Sequence, residues 1–107
     1  MLLDTLLSMN VFLRTKHFDE WLKRLRDPIG KARIIARIRA AEAGNLGDCA
    51  PVGTSVFEMR IHVGPGYRLY VYRREQVTYL LLCGGAKSTQ KRDIQTAHRL
   101  LETLERR

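Results

Sequence analysis

A chain of 107 residues, 45% hydrophobic, suits a single domain over 1–107 whose core needs no disulfide or metal to hold it. Its two cysteines, Cys49 and Cys83, make no disulfide scaffold, no apolar run nears the ~20 residues of a membrane span, and Leu2 to Met9 lacks the basic start and cleavage site of a signal peptide. Secreted disulfide-rich, transmembrane, collagenous and disordered classes therefore fall away, and free thiols in a reducing cytoplasm are the simplest reading.

Nineteen Lys and Arg against eleven Asp and Glu give a net charge of +8. Such an excess suits a polyanion or an acidic protein partner, with solubility alone as the plain alternative. The charge is spread evenly: residues 1–50 carry nine basic and six acidic side chains, residues 51–107 ten and five. With no basic tail, a binding face has to be built by folding.

Met9 to Arg14 reads as a first strand. Thr15 can cap the helix that follows, in which Phe18, Trp21, Leu22 and Leu25 stand at i, i+3, i+4 and i+7, the spacing of a buried stripe. Asp27-Pro28 stops this helix and starts another, because Asp caps well and Pro fits a first turn. Ile34, Ile38 and Ala41, with Ile35 beside them, mark the buried face of that second helix, and Gly44-Asn45 ends it. Its Lys31, Arg33, Arg37 and Arg39 read as a solvated basic strip.

Residues 45–55 are rich in turn formers and read as a loop. Strands follow over Val56 to Val63, Tyr67 to Arg73 and Gln76 to Cys83, joined by turns at Gly64-Pro65-Gly66 and Arg74-Glu75. Gly84-Gly85 is expected to break the sheet. Ser88 or Thr89 can cap a last helix in which Ile94, Ala97, Leu101 and Leu104 keep helical spacing. The order β-α-α-β-β-β-α predicts an α+β domain with a helical hairpin on one face of an antiparallel sheet.

Period-two alternation sorts the strand residues. Phe57, Met59, Ile61, Val63, Leu69 and Val71 form an apolar face for the hairpin. Glu58, Arg60, His62, Arg68, Tyr70 and Tyr72 form the other face, expected to be free. Pairing Val63 with Tyr67 would set His62 opposite Arg68, Arg60 opposite Tyr70 and Glu58 opposite Tyr72. Guanidiniums grip phosphate, phenols and guanidiniums offer stacking surfaces for bases, and His62 and Glu58 are the acid–base candidates for cutting RNA through its own 2′-hydroxyl. The plain alternative is a half-wet sheet face with weak surface ion pairs. His17, His62 and His98 have no metal-ligand spacing with the cysteines, and Gly84-Gly85 with Lys87 is no phosphate loop, so neither metal nor cofactor is expected.

Several segments are familiar together: Phe18-Asp19-Glu20-Trp21-Leu22, the Gly44-Asn45-Leu46-Gly47-Asp48 turn, Val52-Gly53, Phe57-Glu58-Met59-Arg60-Ile61, Gly64-Pro65-Gly66-Tyr67-Arg68-Leu69-Tyr70, and Leu81 to Gln90 with Asp93, Ile94 and Ala97. In these the chain resembles the RelE/HigB-like toxins, above all their phage-derived addiction module killer branch. The resemblance implies the same β-α-α-β-β-β-α fold and the toxin of a two-gene toxin–antitoxin module. It implies an endoribonuclease that enters the ribosome, cleaves mRNA and arrests translation in the cytoplasm. It further implies a cognate helix-turn-helix antitoxin from an adjacent gene, and no membrane partner.

Carried over by position, Arg68 matches the arginine that stabilises the transition state, Arg60 a basic position on the preceding strand, and Lys87 a basic position after the last strand. Glu58 stands where the family's well-studied enzymes have a second basic residue, and no tyrosine occupies the region of Asp93 and Ile94. Proton transfer is left to Glu58, His62 or Tyr70, or cleavage is weak. Two alternatives stay open: a ParE-like toxin that inhibits DNA gyrase without nuclease chemistry, and an inactive homologue that only binds antitoxin.

Overall fold

The computed structural model describes residues 9–105; the reading of Met1 to Ser8 lies outside the described residues. Strand β1 (Val11–Arg14) leads into helix α1 (Lys16–Arg24) and helix α2 (Pro28–Glu42). Strands β2 (Cys49–Pro51), β3 (Val56–Ile61), β4 (Tyr67–Arg73) and β5 (Thr78–Ala86) follow, then a short 3₁₀ turn (Lys87–Thr89) and helix α3 (Gln90–Glu105). The protein is α+β, with one five-stranded sheet in the order β1-β5-β4-β3-β2. The sheet is mixed rather than antiparallel throughout: β1 runs parallel to β5, to which no hairpin turn joins it, and the other neighbours are antiparallel.

The helix boundaries follow from local chemistry. Thr15 accepts the Phe18 amide at 3.0 Å and starts α1. Asp27 accepts the Gly30 amide at 3.0 Å and starts α2, with Pro28 in the first turn. The left-handed Gly44 (φ 101°) ends α2, and the Gly44 and Asn45 amides cap the carbonyls of Ala41 and Ala40. The last helix departs from expectation. Neither Ser88 nor Thr89 caps it from outside; both lie in the 3₁₀ turn through which the chain enters α3.

The hairpin α1–α2 covers one sheet face. Phe18, Leu22, Ile34, Ile38 and Ala41 pack there against Phe12, Met59, Leu69, Val71 and Leu81, the apolar face that alternation picks out. The opposite face is not free. Ala97 and Leu101 of α3 bury Val56, Tyr70, Leu82 and Cys83 in a second core. The stripe on α3 needs an apolar partner, and the hairpin already occupies the first face.

Three further expectations are corrected. Gly84 and Gly85 continue β5 rather than break it, because a Cβ at Gly84 would run into the Trp21 indole and one at Gly85 into the Asp93 carboxylate. The β3–β4 register is also shifted by two residues: Ile61 pairs with Tyr67, Arg60 with Arg68, Glu58 with Tyr70 and Val56 with Tyr72. His62 through Gly66 form a wider turn, with Gly64 (φ 54°) and Gly66 (φ 77°) left-handed. A two-residue slip keeps each side chain on its face and changes only its partner. Part of the 45–55 loop also becomes the edge strand β2.

Candidate functional site

Arg60 and Arg68 stand directly opposite one another across β3 and β4. Two like charges there repel unless an anion joins them. Glu58, two residues before Arg60 on the same face, supplies it. Its Oε1 accepts from Arg60 Nε at 2.9 Å and from Arg68 Nη1 at 2.5 Å, and its Oε2 accepts from Gln90 Nε2 of α3 at 2.7 Å.

Glu58 is fully buried. Burial pushes its carboxyl pKa up, but the hydrogen bonds from Gln90, Arg60 and Arg68 outweigh this and hold it below its ordinary value. The same bond raises the pKa of the Arg60 guanidinium. Arg68 Nε and the Tyr70 hydroxyl are buried beside this carboxylate without a hydrogen-bond partner among the described residues. Burial, then the Glu58 charge, pushes the Tyr70 phenol above its ordinary value.

The network continues outward. Asp48, in the loop before β2, places Oδ1 3.6 Å from Arg60 Nη1 and Oδ2 2.6 Å from His62 Nε2. The His62 bond is the main reason that the Asp48 carboxyl sits below the usual carboxylate range. Arg37 of α2 fixes this loop by donating from Nη2 to the Asp48 carbonyl at 2.9 Å and from Nε to the Arg60 carbonyl at 3.4 Å. Arg37 therefore leaves the solvated strip in which sequence placed it, and burial lowers its pKa. Gly47 (φ +63°) leaves room for its guanidinium, which a Cβ there would strike.

Of the six residues singled out by sequence, Glu58, Arg60, Arg68 and Tyr70 come together on the sheet. His62 joins them only through Asp48, lying past the end of β3 rather than opposite Arg68. Lys87 is exposed at the first position of the turn after β5, two residues beyond Gly85, the partner of Arg68. Its amide donates to the Gly66 carbonyl at 2.8 Å, and it makes no ion pair among the described residues.

Sequence reasoning missed Asp48, Gln90 and Arg37 as members of the site. Asp48 and Gln90 both lie in segments that carry the family resemblance, which was their only signal. A cleft of about 550 Å³ lies nearby between α1 and α3, lined by His17, Trp21, Tyr67, Thr89 and Asp93. In it the buried Asp93 accepts from the Thr89 hydroxyl at 2.5 Å.

The fold and site define an α+β protein whose mixed sheet carries an arginine–glutamate–arginine clamp centred on a buried carboxylate, opening through an aspartate onto a histidine. No protein-family model matches the chain. It is 46% identical over 90 residues to a protein of Haemophilus influenzae described as an uncharacterized protein, an alignment covering 84% of this chain and 91% of the relative. The chain belongs to the same family as that Haemophilus influenzae protein.

Proposed function

We propose that this protein is the toxin of a toxin–antitoxin module, of the RelE/HigB-like kind, and that it cleaves mRNA on the ribosome and so arrests translation in the cytoplasm. The observation that carries this reading is the pair Arg60 and Arg68, opposite one another and locked by Glu58. In-line attack of a 2′-hydroxyl on phosphorus builds negative charge on the phosphorane oxygens. Fixed guanidiniums stabilise that charge without reorganising during the reaction. Arg60 spends Nε on Glu58 and Nη1 on Asp48, and a guanidinium carries five N–H donors, so donors remain for phosphate.

The α+β architecture supports the reading as well, with a helical hairpin covering one face of the sheet, as the resemblance implies. The net charge of +8 suits both a ribosome and an acidic antitoxin.

A second reading is favoured by one observation. The Arg68 side chain is only 12% exposed and turns toward Glu58, which suits a toxin that acts by binding, such as a gyrase inhibitor. Controlled expression separates the two. New mRNA 5′ ends within ribosome-covered codons, lost in Arg68→Ala, support the nuclease; removing one preorganised charge typically slows catalysis by about 10²–10³. DNA damage and inhibited supercoiling with intact mRNA would overturn it in favour of gyrase.

A further inference from the structure

We infer that His62 is the proton acceptor of RNA cleavage and that Asp48 is its positioning residue. The inference rests on the nuclease reading above and assigns the proton-transfer role that the two arginines cannot fill.

The other candidates fail on geometry. Glu58 is fully buried and already accepts three donors, from Arg60, Arg68 and Gln90. A carboxylate so occupied has neither access to a ribose nor a reason to take up a proton. Tyr70 is fully buried under α3, among Val56, Leu82 and Leu101. His62 has the opposite character. Exposure rises outward along the network, from Glu58 at 0% and Arg60 at 35% to Asp48 at 47% and His62 at 73%. The imidazole is thus the end that a polynucleotide can reach.

Asp48 orients that imidazole. With Nε2–H donating to Asp48 Oδ2 at 2.6 Å, the neutral ring of this 73% exposed side chain keeps the Nδ1 lone pair free to accept, and the carboxylate stabilises the imidazolium that forms when Nδ1 takes a proton. The same carboxylate touches Arg60 through Oδ1 at 3.6 Å. The phosphate-binding guanidinium and the base are therefore separated by the width of one carboxylate. The charged groups around His62 are Asp48 from the loop before β2, Arg60 of β3 beyond it, and Arg37 of α2, which holds the Asp48 carbonyl.

In the step assigned here, Nδ1 of neutral His62 takes the proton of the ribose 2′-hydroxyl. The O2′–P bond forms and the P–O5′ bond breaks, leaving a 2′,3′-cyclic phosphate on one fragment. O5′ takes a proton from water, and the hydroxide so formed recovers the proton held by His62. No oxidant, reductant or further reactant is needed.

The test uses the full-length protein and ribosomes programmed with a defined mRNA. His62→Gln, at an exposed position beyond the strand, should bind ribosomes like the wild type and cleave about 10²–10⁴ times more slowly, the usual contribution of a general base. The wild-type rate should rise with pH along an acid limb, and that limb should vanish in His62→Gln. Added imidazole should restore part of the rate to His62→Ala, as a merely structural role would not allow. Asp48→Asn should lower kcat with little change in KM while leaving ribosome binding intact. A His62→Gln protein with wild-type rate and an unchanged limb overturns this assignment alone. A wild-type protein that leaves ribosome-bound mRNA intact overturns the nuclease reading together with it.

Discussion

At Glu58 a buried carboxylate is tolerable because three donors converge on it, one of them from a helix 32 residues further along the chain. Removing the anion would leave two opposed guanidiniums, one of them mostly buried. Glu58→Ala should therefore cost about 3–5 kcal/mol in urea unfolding, the usual cost of breaking a buried pair from one side. The pH dependence has a definite sign. A carboxyl held below its ordinary value contributes stability above the ordinary carboxylate range and loses it as pH falls through the folded value. The melting temperature should thus fall between about pH 6 and about pH 3, around the ordinary carboxylate values, and fall less in Glu58→Gln. Some slope should survive, since Asp27 and Asp48 are lowered too, chiefly by hydrogen bonds to Tyr67 and His62. The cysteines differ in the same physical way. Burial, then the Asp93 charge, pushes the Cys83 thiol up to about 12, whereas Cys49 is exposed. A thiol reagent at neutral pH should titrate one cysteine in the folded protein and two in urea; two reactive thiols in the folded state would show that the second core opens readily.

Among the elements, helices were the most legible, because caps and stripes are local: Thr15, Asp27 and Gly44 act where their residue types say they should. The alternation of β3 and β4 was equally legible, so their faces could be assigned before their partners. Register was not, since the glycine-rich turn after Ile61 admits more than one length and both lengths keep the same faces. The glycine pair of β5 misled for a different reason. In sequence it reads as flexibility; in the fold it is close approach, with Trp21 over Gly84 and Asp93 over Gly85. Trp21 itself is half-buried rather than enclosed, so Trp21→Ala should cost about 3 kcal/mol, the low end for aromatic truncation. Gly84→Ala should also destabilise, because its methyl group meets the indole. The two losses share one contact, so the double variant should lose less than their sum. Strict additivity in denaturant unfolding would mean that Gly84 is needed for its backbone rather than for the indole.

For the whole molecule, the question is where the surplus positive charge is presented. Arg60 and Arg68 are largely compensated by Glu58 and Asp48, and Arg37 is tied to backbone carbonyls. Among the described residues the exposed surplus lies instead on Lys16 and Lys23 of α1, Arg26 after it, Arg33 and Arg39 of α2, Arg73 and Arg74 at the end of β4, Lys87, and Lys91, Arg92 and Arg99 of α3. Composition revealed the size of the charge, but its distribution needed the ion pairs, because Asp48 and Glu58 come from separate segments of chain. An acidic partner such as the proposed antitoxin would first meet these helix surfaces. Exposed charges are screened over about 10 Å at 0.1 M salt, so steering acts on encounter, while the lifetime of the complex rests on apolar anchors. Association measured from about 0.05 to about 0.5 M salt, around that screening range, should slow steeply while dissociation changes little. An association rate that stays flat would remove protein partners from the account of the basic surplus and leave RNA and the ribosome as its only use.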